Sequence, residues 1–140
     1  MRPTRVLFVT ILLLTLQACQ FGNCERGKGE AVEQELQVPH FHGIVVEGVV
    51  NVTLSRGDAQ LVVAEGQPNL IALFTSDVEH GIWHIATSGC YTSDRPLAIH
   101  ITTPGIDLVV VEGSGTVKSH DSFDLDRFTT TVKGSGTVDI

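Results

Sequence analysis

Hydrophobic positions fall along this chain in three regimes. An apolar run, interrupted only by Thr10 and Thr15, occupies residues 6–16, behind Arg2 and Arg5. Residues 20–37 are rich in Gly, Glu and Gln and poor in apolar side chains. Such a segment buries too little apolar surface to offset the entropy of ordering, so it is expected as solvated chain. From about residue 38 the text changes again, into short runs of Val, Ile, Leu and Thr punctuated by Gly, Asp, Asn and Pro. This spacing predicts strands over 43–54, 60–65, 82–87, 97–103, 107–118 and 129–140. Past the leader, no window keeps apolar residues at helical spacing for more than about two turns. The expected organisation is a leader over 1–18, a tether over 19–37 and one all-β domain over 38–140.

Within that domain the sequence repeats. VVVEGSGTVKS at 109–119 returns as TTVKGSGTVDI at 130–140, and a weaker copy, IVVEGVVNVTL, occupies 44–54. Gly113 and Gly134 are 21 positions apart, and Gly48 lies 65 positions before Gly113, close to three such periods. A fixed period near twenty residues is the signature of a solenoid whose rungs stack to bury a shared core. In a parallel stack with rungs of about 21 residues, Val111 lies over Val132 and Val117 over Val138 as apolar columns. Glu112 then meets Lys133, and Lys118 meets Asp139, which places opposite charges side by side. Gly48, Gly113, Gly115, Gly134 and Gly136 would turn the rung corners, where a positive φ carries no steric penalty. The alternative is a sandwich in which each Gly-Ser-Gly closes a β-hairpin. Column complementarity favours the solenoid.

The first regime is too short to span a bilayer, for which about 20 apolar residues are needed. With its basic start and a small residue near its end it reads as a removed signal segment. Leu16, Gln17, Ala18 and Cys19 match position by position the lipobox of bacterial lipoprotein signals, which they resemble. That resemblance implies cleavage before Cys19, diacylation of its thiol and N-acylation. Two or three acyl chains hold a protein stably on a membrane where one is marginal. Gln20, in place of Asp, favours the outer membrane within the same resemblance, and so a lipid-anchored position in the cell envelope facing the periplasm or the surface.

A second resemblance covers residues from about 36 to the end. Phe41-His-Gly-Ile44, Val46-Glu-Gly-Val49, Val52-Thr-Leu54, Asn69-Leu70, the stretches 78–85 and 97–104, and above all the repeated Gly-Ser-Gly-Thr-Val resemble the bacterial head GIN domain, an auto-transporter adhesin family. The resemblance implies a short right-handed parallel β-helix on an envelope protein, without catalytic residues and without a cofactor. Members usually continue for further rungs, whereas this sequence stops at Ile140 within a repeat. An uncapped rung exposes unpaired backbone, so self-association through the C-terminal rung is expected.

Charge narrows the partners. The formal net charge is −7, and Arg2 and Arg5 leave with the leader, so the remainder is more acidic still. Its basic residues are scattered singly, which leaves no basic patch for nucleic acid. With Cys19 acylated, Cys24 and Cys90 remain as thiols in an oxidising compartment, where they either pair or stand as two free thiols.

Other features have plainer explanations beside the chemical ones. His40 and His42 with His84, His100 or His120 lack partners at ligand spacing, so no metal site is assigned. Arg56-Gly57-Asp58 reads as a tight turn, and the Asn51-Val52-Thr53 triplet lies inside a strand. Phe74, Trp83 and Tyr91 are either a sugar-stacking platform or core aromatics. Asp121, Asp124 and Asp126 beside Arg127 fit a solvated connection better than the acidic centre of a polysaccharide-cleaving enzyme. The function expected from the sequence is therefore a non-catalytic binding or structural module, adhesive or involved in surface assembly, with an envelope protein or glycan as ligand. The alternative is a polysaccharide-active β-helix enzyme.

Overall fold

The computed structural model describes residues 22–140, so Leu16, Gln17, Ala18 and Cys19, expected to form the lipobox, lie outside the described residues. The domain is all-β apart from one helical turn. Its strands are β1 (Glu25–Arg26), β2 (Val32–Glu35), β3 (Gly43–Gly48), β4 (Val50–Arg56) and β5 (Leu61–Gly66). After the short helix α1 (Pro68–Ile71) come β6 (Val78–Glu79), β7 (Ile82–Ile85), β8 (Tyr91–Thr92) and β9 (Leu97–Thr103). The repeats then supply β10 (Leu108–Gly113), β11 (Thr116–Ser119), β12 (Thr129–Gly134) and β13 (Thr137–Asp139).

Two sheets carry the core. One runs β12-β10-β3-β7-β6 and the other β13-β11-β4-β9-β5-β2, while β1 and β8 form a separate pair. Alternation fixes which face is inside. Along β9, Leu97, Ile99, Ile101 and Thr103 are buried while the residues between them are half-buried, the period-two signal of a strand with one face on the core. Ile44, Val46, Trp83, Ile85, Val109 and Val111 of the first sheet meet Val50, Val52, Leu54, Ile99, Ile101 and Val117 of the second in one apolar cluster.

Stacking of the repeats follows the 21-residue register. β10 and β12 are parallel, with Val111 opposite Val132 and Gly113 opposite Gly134, and β11 and β13 are parallel with Val117 opposite Val138. Lys133 donates to Glu112 at 2.9 Å. Lys118 and Asp139 are register partners but form no ion pair.

Three features differ from the solenoid reading. First, the sheets are mixed: β5 runs antiparallel to β9, β2 to β5, and β6 to β7. Second, the 65-residue step from Gly48 to Gly113 does not span three rungs. β3 and β10 are direct neighbours, in register from Gly43 opposite Leu108 to Gly48 opposite Gly113. The chain between them leaves the stack, and its strands β7 and β9 pair with the opposite edges of β3 and β4. The rung earliest in sequence is therefore enclosed between later ones. The intervening residues contain antiparallel strands and a helical turn, whose hydrogen-bond geometry cannot repeat as a parallel rung. Third, residues 25–35, expected within the solvated tether, carry β1 and β2. Glu33 of β2 is in register with Glu65 of β5, so a polar strand is recruited as a sheet edge, where its charges face solvent.

The corners show why glycine is needed. Gly48, Gly113 and Gly134 have φ of 80°, 127° and 117°. Ser114 donates its N–H to the Gly48 carbonyl at 3.1 Å, and Ser135 repeats this to Gly113 at 3.0 Å. The corners therefore stack backbone on backbone. A Cβ on Gly113 would lie 2.7 Å from the Gly48 oxygen, and one on Gly115 would lie 2.6 Å from that of Val50. A Cβ on Gly48 meets nothing within 4 Å, because no further corner lies beneath it.

Neighbouring strands are also joined by imidazole–carboxylate pairs. His42, just before β3, contacts Asp107, just before β10, at 2.8 Å, and this hydrogen bond holds its pKa above the ordinary histidine value. His84 contacts Glu47 at 3.4 Å and His100 contacts Glu65 at 3.1 Å.

Gly113→Ala is expected to cost about 3 kcal/mol or more, combining a left-handed backbone with a backbone clash. Gly48→Ala is expected to cost about 1–2 kcal/mol from the backbone conformation alone. Urea denaturation of the two variants measures the difference. For His42, the folded-state pKa is raised, so its pairing stabilises the fold fully below the unfolded value of about 6.5 and is lost as pH rises through the folded value. An NMR titration is expected to place the His42 midpoint above that unfolded value, and Asp107→Asn to return it.

Candidate functional site

The segment ahead of β2 is fastened to the body of the domain. Cys24 and Cys90 are joined by a disulfide, and the adjoining β1 pairs in parallel with β8. Glu25 donates its N–H to the Cys90 carbonyl at 3.0 Å, and Gly27 donates to Thr92 at 2.9 Å. Neutral polar side chains at the start of α1 complete the attachment. Asn69 donates to Glu25 Oε1 and to the Arg26 carbonyl, each at 2.8 Å, and accepts from the Lys28 N–H at 2.9 Å. Gln67 donates to the Gly29 carbonyl at 2.8 Å. The Asn69 hydrogen bond, aided by the nearby Lys28 charge, holds the Glu25 carboxyl below its usual pKa.

Between this fastened segment and the β8–β9 connection runs a cleft. Two hollows of about 340 and 410 Å³ share Gln67, Ser93 and Asp94 as a common lining. Arg26 and Gly27 form one wall of the first hollow; Gly29, Glu30 and Ala31 form the corresponding wall of the second. Opposite them stand Ser93, Asp94 and Arg95, and the end of β5 supplies the floor through Glu65 and Gly66. Ser93 donates to Gln67 Oε1 at 3.3 Å, which ties the far wall to the floor. The lining is polar and charged, with only Ala31 and Pro96 as apolar contributors beyond glycine.

The residues singled out from sequence go elsewhere. Trp83 is fully buried, packs on Phe41 at 5.4 Å between centroids, and donates its indole N–H to the Thr75 carbonyl at 3.0 Å. Tyr91 donates its hydroxyl to the Val49 carbonyl at 2.7 Å, and its partial burial raises its pKa. Phe74 packs partly buried against the core. These aromatics therefore form no shared platform; they are structural. His42, His84 and His100 each pair with a different carboxylate, and no group of three or more metal-ligating side chains converges among the described residues. Arg56 ends β4 and Gly57-Asp58 follow it, where Gly57 donates its N–H to the Thr103 carbonyl at 3.1 Å. Asp121 accepts the Arg56 N–H at 2.8 Å, so it secures the turn between strands.

Sequence reasoning missed the cleft. Its framework depends on Gln67 and Asn69 crossing to residues about forty positions earlier, a contact for which no local pattern exists. The one signal was the pair Cys24 and Cys90.

The crosslink closes a loop with a sequence separation of 66. Replacing both cysteines by serine is expected to cost about 2–4 kcal/mol. Amide exchange at Gly27 and Lys28 should accelerate more than exchange in β4 and β9, which hydrogen-exchange mass spectrometry resolves.

A family model described as "Putative auto-transporter adhesin, head GIN domain" matches residues 40–140. Among curated proteins, none matches this chain. Several solved structures share the fold. A "putative adhesin" of Bacteroides fragilis is 21% identical, superposes with a TM-score of 0.74, and is matched over 82% of this chain and 55% of its own. A "putative lipid binding protein" of Parabacteroides distasonis is 18% identical, with a TM-score of 0.71 over 82% of this chain and 51% of its own. A "putative adhesin" of Parabacteroides merdae is 13% identical, with a TM-score of 0.67 over 76% and 45%. This chain thus spans about half the length of the solved structures it matches. The family match over most of the described residues, joined to stacked Gly-Ser-Gly corners, shows that the chain belongs to the head GIN domain family.

Proposed function

We propose that this protein is a lipid-anchored, non-catalytic binding module of the bacterial cell envelope. Cys19, within Leu16-Gln17-Ala18-Cys19, is the anchor on this reading, and the outer membrane is its address. The observation that carries the binding role is the cleft, whose walls are held by a disulfide and by side-chain hydrogen bonds before any ligand arrives. Preorganisation of this kind is what recognition needs, because a site already ordered loses less entropy on association. The adhesin descriptions carried by two of the similar structures agree with the role, and the lipid-binding description of a third is a binding role as well.

The stacked rungs serve this function as a stiff mount. Parallel crossovers between strands of one sheet are right-handed in about 98% of cases. We therefore read the successive rungs as a short right-handed β-helix that ends, on the β7 and β9 side, in antiparallel strands.

The anchor is tested by expressing the full chain and its Cys19→Ala variant in a bacterial host with labelled palmitate. The intact protein is expected to take up label and partition into detergent; the variant is expected to do neither. Persistence of both in the variant contradicts the anchor. The absence of catalysis is tested by incubating the protein with cell-wall and extracellular polysaccharides. Retention without shortening supports a binding module, whereas shortened chains support the polysaccharide-active alternative.

A further inference from the structure

Five charged side chains line the cleft, and the fold uses only one of them, Glu65, in its pair with His100. Arg26 and Asp94 border the first hollow; Glu30, Glu65, Asp94 and Arg95 border the second. Ion pairs among the described residues join Lys28 to Glu25, His42 to Asp107, His84 to Glu47, His100 to Glu65 and Lys133 to Glu112. Arg26, Glu30, Asp94 and Arg95 take part in none of these, and no side-chain hydrogen bond engages their charged groups. The neutral side chains beside them behave oppositely: Gln67 and Ser93 are spent on holding the walls together.

This division of labour constrains the ligand. Besides the paired Glu65, two guanidiniums and two carboxylates line one groove without neutralising one another, all of them exposed. An anionic ligand that satisfied Arg26 and Arg95 would bring its charge against Asp94 and Glu30, and a cationic one would meet the reverse repulsion. A ligand with both charges replaces water by charge-assisted hydrogen bonds at each end, bidentate where a carboxylate meets a guanidinium. No aromatic side chain lines either hollow, so a sugar ring would find no flat apolar surface to rest on. The volumes lie within the range of small-ligand clefts, about 300–1,000 Å³, which suits a few residues of extended chain rather than a folded partner.

We propose that the cleft between the disulfide-fastened segment and the β8–β9 connection binds short zwitterionic peptides. Their carboxylates engage Arg26 in the first hollow and Arg95 in the second, and their ammoniums engage Asp94, common to both, and Glu30. The assignment rests on the reading of the domain as a binding module and gives that module its ligand class.

The test uses the full chain in detergent micelles and the tetrapeptide Ala-Glu-Lys-Ala with free termini, followed by calorimetry and by NMR. Saturable binding is expected, with shifts centred on Arg26, Ser93 and Asp94. Amidating the peptide's C-terminus, or introducing Arg26→Gln with Arg95→Gln, should weaken binding about tenfold or more, the equivalent of one lost charge-assisted hydrogen bond. Acetylating the peptide's amines, or introducing Asp94→Asn with Glu30→Gln, should have a similar effect. All four side chains are exposed, so unchanged thermal melting of the variants is the expected control. No saturation at millimolar peptide, or binding indifferent to these changes, overturns the proposal. An oligomer of glucuronic acid that binds as well as the peptide, sensitive to the arginine changes and indifferent to the carboxylate ones, overturns the peptide assignment and leaves the binding module standing. Cleavage of that oligomer overturns the module itself.

Discussion

The close approach of backbone to backbone at the rung corners is the constraint on which this structure depends. Parallel strands placed directly over one another need corners that also superpose, and Gly113 can lie over Gly48 only because Gly113 has no side chain to stand between them. Once the corners touch, the register of both flanking ladders is set. Val111 then falls over Val46 and under Val132, and Val117 falls between Val52 and Val138. The apolar columns are thus a consequence of corner geometry as much as of hydrophobicity. A slip of one residue would place a glycine where a side chain stands and turn each column toward solvent.

A parallel stack of this kind is stiff but presents few concave surfaces, and the recognition chemistry lies where the stack is interrupted. The chain between the first and second repeats departs to form β5 to β9 and returns, leaving a connection that Cys90 ties to Cys24. The polar segment beside Cys24 would gain little by folding alone. It becomes ordered because the crosslink removes most of its freedom and because Asn69 and Gln67 satisfy its backbone groups. The cleft is the gap between these two fastened pieces, so the features that hold it open belong to a part of the chain with almost no core of its own.

Much of the scaffold was legible in the sequence, for a physical reason. Repeats related by stacking carry matching or complementary residues at the same rung position, so the paired glycines and Glu112 over Lys133 are written as a period of 21. The 65-residue interval was misread as three periods because periodicity reports only separation. It does not reveal that β3 and β10 are neighbours across an excursion. β2 was missed for a related reason: Val32-Glu33-Gln34-Glu35 has no apolar alternation, and its strand exists because β5 offers an edge. The aromatics Trp83 and Tyr91 were ambiguous by residue type, and burial decided them. The cleft charges were the least legible, since solitary arginines and aspartates in loops look alike whether or not they converge.

The corner geometry can be examined directly by measuring proton–proton contacts along the backbone in solution by NMR. Parallel stacking predicts contacts between residues 21 and 65 apart, linking Glu112 to Lys133 and Glu112 to Glu47. Hairpins closed at each Gly-Ser-Gly would instead bring Val111 against Val117 across one corner. Finding that second pattern, with the long-separation contacts missing, would contradict the account at its root.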